Sequence, residues 1–298
     1  MNDYRSFVKD GYFNLGKIIS DEQCQNLLKK VQKVHEFSPA MFLTEEAHRA
    51  DPPKSGTNPG PGCNLVERID IKFIEENKTF AEALTKILGE GYRLELVKFI
   101  MGVPQSWVPK WVDATGSHNL NSFLKEEYRD ISYFYGAKYH QDVVDFSGPK
   151  ALKSKTFITL YVYLDKVEAV HAPIFLLPGS HIFGATTYPH KIETLSDSSA
   201  IYGDDHGRSE EFECKMITGE AGTVAFWHSL VLHKTTKITD IRPRISLKYV
   251  FEKTTTKRTL IDELDETCIG PLVLEKHRTD MTEKQVKDYF ARVPAKST

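Results

Sequence analysis

GTVAFWHSLVLHKTTKITDIRPRISLKYVF, residues 222–251, decides the fold. Two runs rich in β-branched and aromatic residues bracket a polar connection, a composition that suits pleated, buried strands. Similar short runs lie upstream: LELVKFIM (94–101), TFITLYVYL (156–164) and APIFLLPGS (172–180). Turn residues separate them, and no long helices intervene. That texture argues for an antiparallel sandwich or barrel.

Both ends of the chain read as helix. Ser20 and Gln23 have capping-box spacing, and Leu27, Leu28, Val31 and Val34 follow at a helical period, which predicts a helix over 21–35. Thr79 and Glu82 suggest a second capping box, ahead of Phe80, Leu84, Ile87 and Leu88, with Gly89 as the stop. Thr282 and Gln285, ahead of Val286, Tyr289 and Phe290, predict a third helix. Residues 38–65 are rich in Pro and Gly and read as a long surface loop. No repeat or linker divides the chain, so residues 1–298 are expected to form one domain with its β core at roughly 90–253.

The 39 Lys and Arg against 41 Asp and Glu leave a formal charge of −2, which supplies no global field for nucleic acid or an anionic membrane. A small-molecule substrate is the expected partner, with the protein a monomer or homodimer. Cys24, Cys63, Cys214 and Cys268 form no CxxC pair, and neither a zinc knuckle nor a disulfide framework is suggested. With a charged N-terminal stretch and no apolar run of spanning length, the expectation is a soluble, cytoplasmic protein.

Candidate chemistry begins at YHQDVVDF, residues 139–146. Residues i and i+2 of a strand share a face, so His140 and Asp142 can present an imidazole and a carboxylate to one point. Alone, the pair equally describes a half-exposed strand end. Downstream, residues 222–251 add His228, His233 and Arg244. Two histidines and one carboxylate on one side of a metal make the facial triad of non-haem Fe(II) oxygenases, and a guanidinium can grip the distal carboxylate of a keto acid.

At this point the sequence resembles the phytanoyl-CoA dioxygenase family of Fe(II)- and 2-oxoglutarate-dependent oxygenases. The similarity is carried by FVKDGYFNLGKIISDEQCQNLL (7–28), YHQD (139–142), FLLPGSH (175–181) and LHKTTKITDIRPR (232–244), in that order. The resemblance implies a double-stranded β-helix, a jelly-roll or cupin-like core flanked by α-helices. It implies His140, Asp142 and His233 as ligands to Fe(II), with open positions for 2-oxoglutarate and O2. The family's spacing places the last histidine eleven residues before the arginine, which selects His233 with Arg244; His228 then reads as a hydrogen-bonded histidine near the barrel wall, and Arg242 as a solvated turn residue.

Arg244 would anchor the 5-carboxylate of 2-oxoglutarate. Ser246, two residues on, either assists it or faces a neighbouring strand. Lys98 either walls the cosubstrate pocket or is an exposed strand lysine. Gln141 matches the residue type often found between the family's ligands, although strand alternation points it away from iron. The family's reaction converts the keto acid to succinate and carbon dioxide and usually returns hydroxyl to a C–H bond. Related halogenases have a small residue at the carboxylate position, so Asp142 favours hydroxylation.

Several features stay open on sequence alone. The aromatic segment 105–138, with Trp107, Trp111, Tyr133, Phe134 and Tyr135, suits a lid lining a pocket or a loop packed on the core. His171, Ala172 and Pro173 stand where the family usually has a glycine turn. YGDDHGRSEE (202–211) suits a cationic substrate or a solvated loop. The rival functions are a binding protein without turnover, and a zinc hydrolase or isomerase using the same His/Asp/His set, which leaves Arg244 without a task.

Overall fold

The computed structural model describes residues 4–53, 59–60, 62–142, 157–196, 198–274, 278–280 and 282. Thirteen strands among them run β1 (Tyr12–Lys17), β2 (Arg93–Gly102), β3 (Ser132–Phe134), β4 (Ala137–His140), β5 (Phe157–Tyr163), β6 (Ile174–Leu176), β7 (Lys191–Thr194), β8 (Ser199–Gly203), β9 (Ser209–Glu213), β10 (Lys215–Ile217), β11 (Thr223–His228), β12 (His233–Thr235) and β13 (Arg244–Glu252). A six-stranded sheet has the order β1-β11-β5-β13-β2-β3, and a four-stranded sheet the order β10-β6-β12-β4. All pairs in them are antiparallel except β2 with β3.

The two sheets face each other. Ile100, Tyr161, Tyr163, Ala225 and Trp227 of the larger pack with Ile174, Leu176 and Ile217 of the smaller. Tyr163 ties them across the interior: its hydroxyl donates to the Ile217 carbonyl at 2.9 Å and accepts from the Ile174 N–H at 3.1 Å. The architecture is a double-stranded β-helix, as the resemblance implied.

Helices cover the outer face of the large sheet. They include α1 (Ser6–Asp10), α2 (Asp21–Val34), α3 (Glu45–Ala50), α4 (Lys72–Glu75), α5 (Lys78–Leu88), α6 (Lys110–Asp113) and α7 (Leu260–Asp265). Phe80, Leu84 and Leu88 of α5 share one core with Leu247 and Tyr249 of β13. Because helices bury one face and the opposite sheet buries the other, β13 is buried almost throughout rather than alternating. Ser20 and Gln23 form the expected capping box on α2, whose buried face is Cys24, Leu27 and Val31. Val34 is exposed.

The structure corrects several local expectations. The α5 cap is Asn77, whose carbonyl oxygen accepts from the N–H groups of Thr79 and Phe80, so the Thr79/Glu82 pattern is displaced from the helix start. The loop expected over 38–65 contains α3, capped by Thr44. The expected helix around Thr282 to Phe290 lies outside the described residues, save Thr282 itself. The run 222–233 is not one strand: β11 ends at His228 in the large sheet and β12 begins at His233 in the small one. YGDDHGRSEE is a hairpin between β8 and β9, where buried Asp204 accepts from the N–H groups of His206 and Arg208 at 2.9 Å.

Segment 105–138 is packed on the body. Tyr133 is fully buried, Trp111 meets Phe123 edge-on at 5.6 Å, and the Lys237 ammonium sits 4.1 Å over the Tyr135 ring. Ala172 supplies the turn where a glycine was expected, in the left-handed region at φ 51°. Arg242 is no solvated turn residue: it pairs with Asp165 and donates to the Lys166 carbonyl at 2.7 Å.

Candidate active site

Two paired strands, β4 and β12, bring the candidate ligands together. In the small sheet His233 of β12 pairs directly with His140 of β4, so the two imidazoles stand side by side with ring centroids 4.1 Å apart. Asp142 follows β4 by two residues, and its N–H is held by the Ser229 carbonyl at 3.0 Å. One ligand atom from each of His140, Asp142 and His233 lies within 4.8 Å of the others. Among the described residues no other group of three or more His, Cys, Asp or Glu does so.

The imidazoles are also oriented chemically. His140 Nδ1 lies 2.8 Å from the Lys138 carbonyl oxygen, and His233 Nδ1 lies 3.0 Å from that of Val231. A carbonyl only accepts, so each Nδ1 carries the proton and each Nε2 keeps its lone pair for a metal. His233 Nε2 lies 3.6 Å from Asp142 Oδ2. His228 is elsewhere: its Nε2 is 3.2 Å from Asp265 Oδ1, and its Nδ1 accepts from the Leu230 N–H.

The barrel interior beside these ligands is cationic. Arg244, Ser246 and Lys248 occupy alternate positions of β13 and so share its inner face, opposite Gly102, Ile100 and Lys98 of β2. Arg244 is 2% exposed, and its Nε and Nη1, like the Ser246 hydroxyl, have no hydrogen-bond partner among the described residues. Buried donors left unmatched are costly, and a bidentate carboxylate is the ligand that a guanidinium fork fits best. The residues therefore suit 2-oxoglutarate as well as a divalent metal.

Lys98 is 4% exposed, which corrects the reading of it as a surface lysine. Burial, then the neighbouring Lys248 charge, push its ammonium down to about 7, against a smaller opposing pull from Asp142. Asp142 behaves oppositely. Burial alone would raise its pKa, but Lys248, His233 and His140 together hold it well below the usual carboxylate range. Gln141 faces away from the ligands, as alternation implied. Its amide N–H2 donates to the Gly184 and Leu230 carbonyls, both at 2.8 Å, and its oxygen accepts from the Thr186 N–H. With both ends of the amide used in this way, Gln141 ties the wall to the turns at Gly184 and Leu230.

Two residues that sequence motifs did not reveal touch Asp142. Lys248 Nζ donates to Oδ1 at 2.7 Å, and Thr159 Oγ1 donates to Oδ2 at 2.6 Å. Extending the period-two reading of β13 from Arg244 through Ser246 would have put Lys248 on the same face. Trp227 also lines the interior, its ring 5.0 Å from that of His233.

Comparison with known proteins agrees with this geometry. The family model for phytanoyl-CoA dioxygenase matches residues 7–246. An ectoine dioxygenase from Bordetella parapertussis is 21% identical over 255 residues, covering 83% of this chain and 73% of the relative. Among solved structures, the epimerase SnoN from nogalamycin biosynthesis, in complex with Fe3+ and alpha ketoglutarate, superposes with a TM-score of 0.52 at 15% identity, covering 94% of each chain. EvdO2 from Micromonospora carbonacea, complexed with 2-oxoglutarate, gives 0.51 at 14% identity, over 88% of this chain and 96% of the other. The chain belongs to the phytanoyl-CoA dioxygenase family, and is an iron- and 2-oxoglutarate-dependent dioxygenase.

Proposed function

We propose that the protein hydroxylates an unactivated C–H bond of a small-molecule metabolite, with His140, Asp142 and His233 as the iron ligands. The observation that carries this reading is the one His/Asp/His cluster among the described residues together with a buried arginine, Arg244, whose Nε and Nη1 have no hydrogen-bond partner there. Bound iron with 2-oxoglutarate and O2 supplies the oxidising power, releasing succinate and carbon dioxide.

The side chains bind, orient and exclude water. The His140 and His233 Nε2 atoms and one Asp142 oxygen would hold the metal. Arg244 would take the 5-carboxylate of 2-oxoglutarate, with the Ser246 hydroxyl adding a donor and the buried Lys98 side chain forming part of the wall beside them. The closed interior removes bulk water from this carboxylate, which strengthens each charged hydrogen bond to it. A zinc hydrolase would have no use for the Arg244 fork.

We take the chain as one domain over residues 1–298, working in the cytoplasm as a monomer or homodimer. The sheets linking residues 12 to 252 support the first point, and the dispersed cysteines support a reducing compartment. No helix among the described residues is long and apolar enough to cross a membrane.

The test is substrate-stimulated succinate formation. Ectoine, free amino acids, fatty acyl derivatives and secondary-metabolite scaffolds are offered in turn to the iron-loaded protein under air. A compound gaining one oxygen in step with succinate supports the reading. Metal-dependent hydrolysis with zinc, and no iron-dependent succinate with any compound, would contradict it.

A further inference from the structure

We propose that Lys248 and Thr159 are positioning residues that hold the Asp142 carboxylate in a one-oxygen binding pose, with Oδ2 facing the His233 imidazole and Oδ1 tied back to the barrel wall. This rests on the ligand assignment proposed above. A carboxylate on a short side chain can meet a metal through one oxygen or both, and two-oxygen binding fills a position that the reaction needs open. Here the choice is made by hydrogen bonds already in place.

Lys248 Nζ donates to Oδ1 at 2.7 Å while Thr159 Oγ1 donates to Oδ2 at 2.6 Å, and all three residues are buried. Oδ2 is also the oxygen that faces His233, with Nε2 at 3.6 Å. Both donors stand on interior strands of the large sheet, Lys248 on β13 opposite Tyr161 and Lys98, and Thr159 on β5 opposite Trp227. Strands paired on both sides give the clamp a rigid base. Asp142, by contrast, lies beyond the end of β4, where its own strand does not fix it.

The two possible roles of Lys248 differ in sign. As a mere buried charge near the metal, it would repel the cation, and its removal would tighten binding. As a clamp, it orients the ligand, and losing such a hydrogen bond weakens metal affinity typically about 10–100-fold.

Co(II) alone serves as the probe, titrated anaerobically into the native protein, Asp142→Ala, Lys248→Met, Lys248→Arg and Thr159→Val. The readouts are the dissociation constant, the visible absorption of bound Co(II), which responds to coordination number, and the melting temperature. If native protein binds no Co(II), or Asp142→Ala binds it equally well, the ligand assignment fails and the proposal with it. With native binding established, Lys248→Met should weaken it about 10–100-fold and alter the absorption, and Lys248→Arg should lose less. Thr159→Val should weaken it about tenfold. Native or tighter affinity with an unchanged spectrum in folded Lys248→Met overturns the proposal. Should that variant not fold, Thr159→Val decides alone: a native constant and spectrum overturn it, whereas a weakened constant and shifted spectrum support it.

Discussion

Asp142 sits between a metal site and a buried ammonium, so replacing it has two separable consequences. Asp142→Ala should abolish metal binding and succinate formation. It should also destabilise the metal-free protein by about 3–5 kcal/mol, because the Lys248 ammonium stays buried without that carboxylate. Denaturant unfolding of the metal-free form checks the second effect. The double variant Asp142→Ala with Lys248→Met should recover much of the stability and none of the metal binding. Arg244→Met has a different signature: on the proposed role of Arg244 as anchor of the cosubstrate carboxylate, the 2-oxoglutarate requirement should rise by about 100-fold or more while Fe(II) affinity stays near native.

Lys98 predicts a pH effect on stability. Its folded pKa is lowered to about 7, so between that value and the unfolded range near 10.5 the unfolded chain binds more protons, and stability rises as pH rises through this window. Below about 7 the charged ammonium is buried beside Lys248 at its full cost. Lys98→Met should therefore stabilise the metal-free protein at pH 6, and the advantage should shrink towards pH 10. Equal gains at both values would show that burial of the charge is not what the substitution relieves.

Among elements, the turn into β6 carries measurable strain. Ala172 is the one described non-glycine residue at positive φ, and left-handed backbone costs an alanine about 1–2 kcal/mol. Ala172→Gly relieves that strain but loosens the unfolded chain by about 0.4–1 kcal/mol, so a net gain of about 0.5–1 kcal/mol in unfolding free energy is expected. A loss of stability would mean that the Ala172 methyl group packs usefully. Gly222 is the opposite case. A Cβ there would lie 2.0 Å from the Ile19 carbonyl oxygen at φ 85°, so Gly222→Ala should cost at least about 3 kcal/mol.

Legibility at this scale followed how local each signal was. The capping box of α2 and the strand character of β2, β5 and β13 depend on neighbouring residues, and they could be read directly. The break between β11 and β12 could not be read, because the apolar runs on either side of His228 and Ser229 read as one strand, and the change of sheet is set by partners distant in sequence. Strand alternation across that break would have treated His228 and His233 as opposite faces of one strand. They belong to two sheets. Asn77 escaped for another reason: its short side chain caps α5 two residues ahead of the Thr79/Glu82 pattern that matched a common motif.

At the scale of the whole molecule, a rigid closed scaffold makes a three-residue site possible. The large sheet is held by helices outside and by the small sheet inside, so β13 and β12 approach from opposite walls with little freedom. The cationic interior of Arg244, Lys98 and Lys248 was only partly legible, since a strand lysine is usually a surface residue and burial of β13 on both faces emerges from the assembled fold.

The most direct measurement is the anaerobic visible spectrum of native protein titrated with Fe(II) and then 2-oxoglutarate, beside Asp142→Ala and His233→Ala. A weak charge-transfer band should appear in the native protein only when both additions are present, and be lost in both variants. A native protein without the band, or the same band persisting in either variant, would contradict iron held by His140, Asp142 and His233.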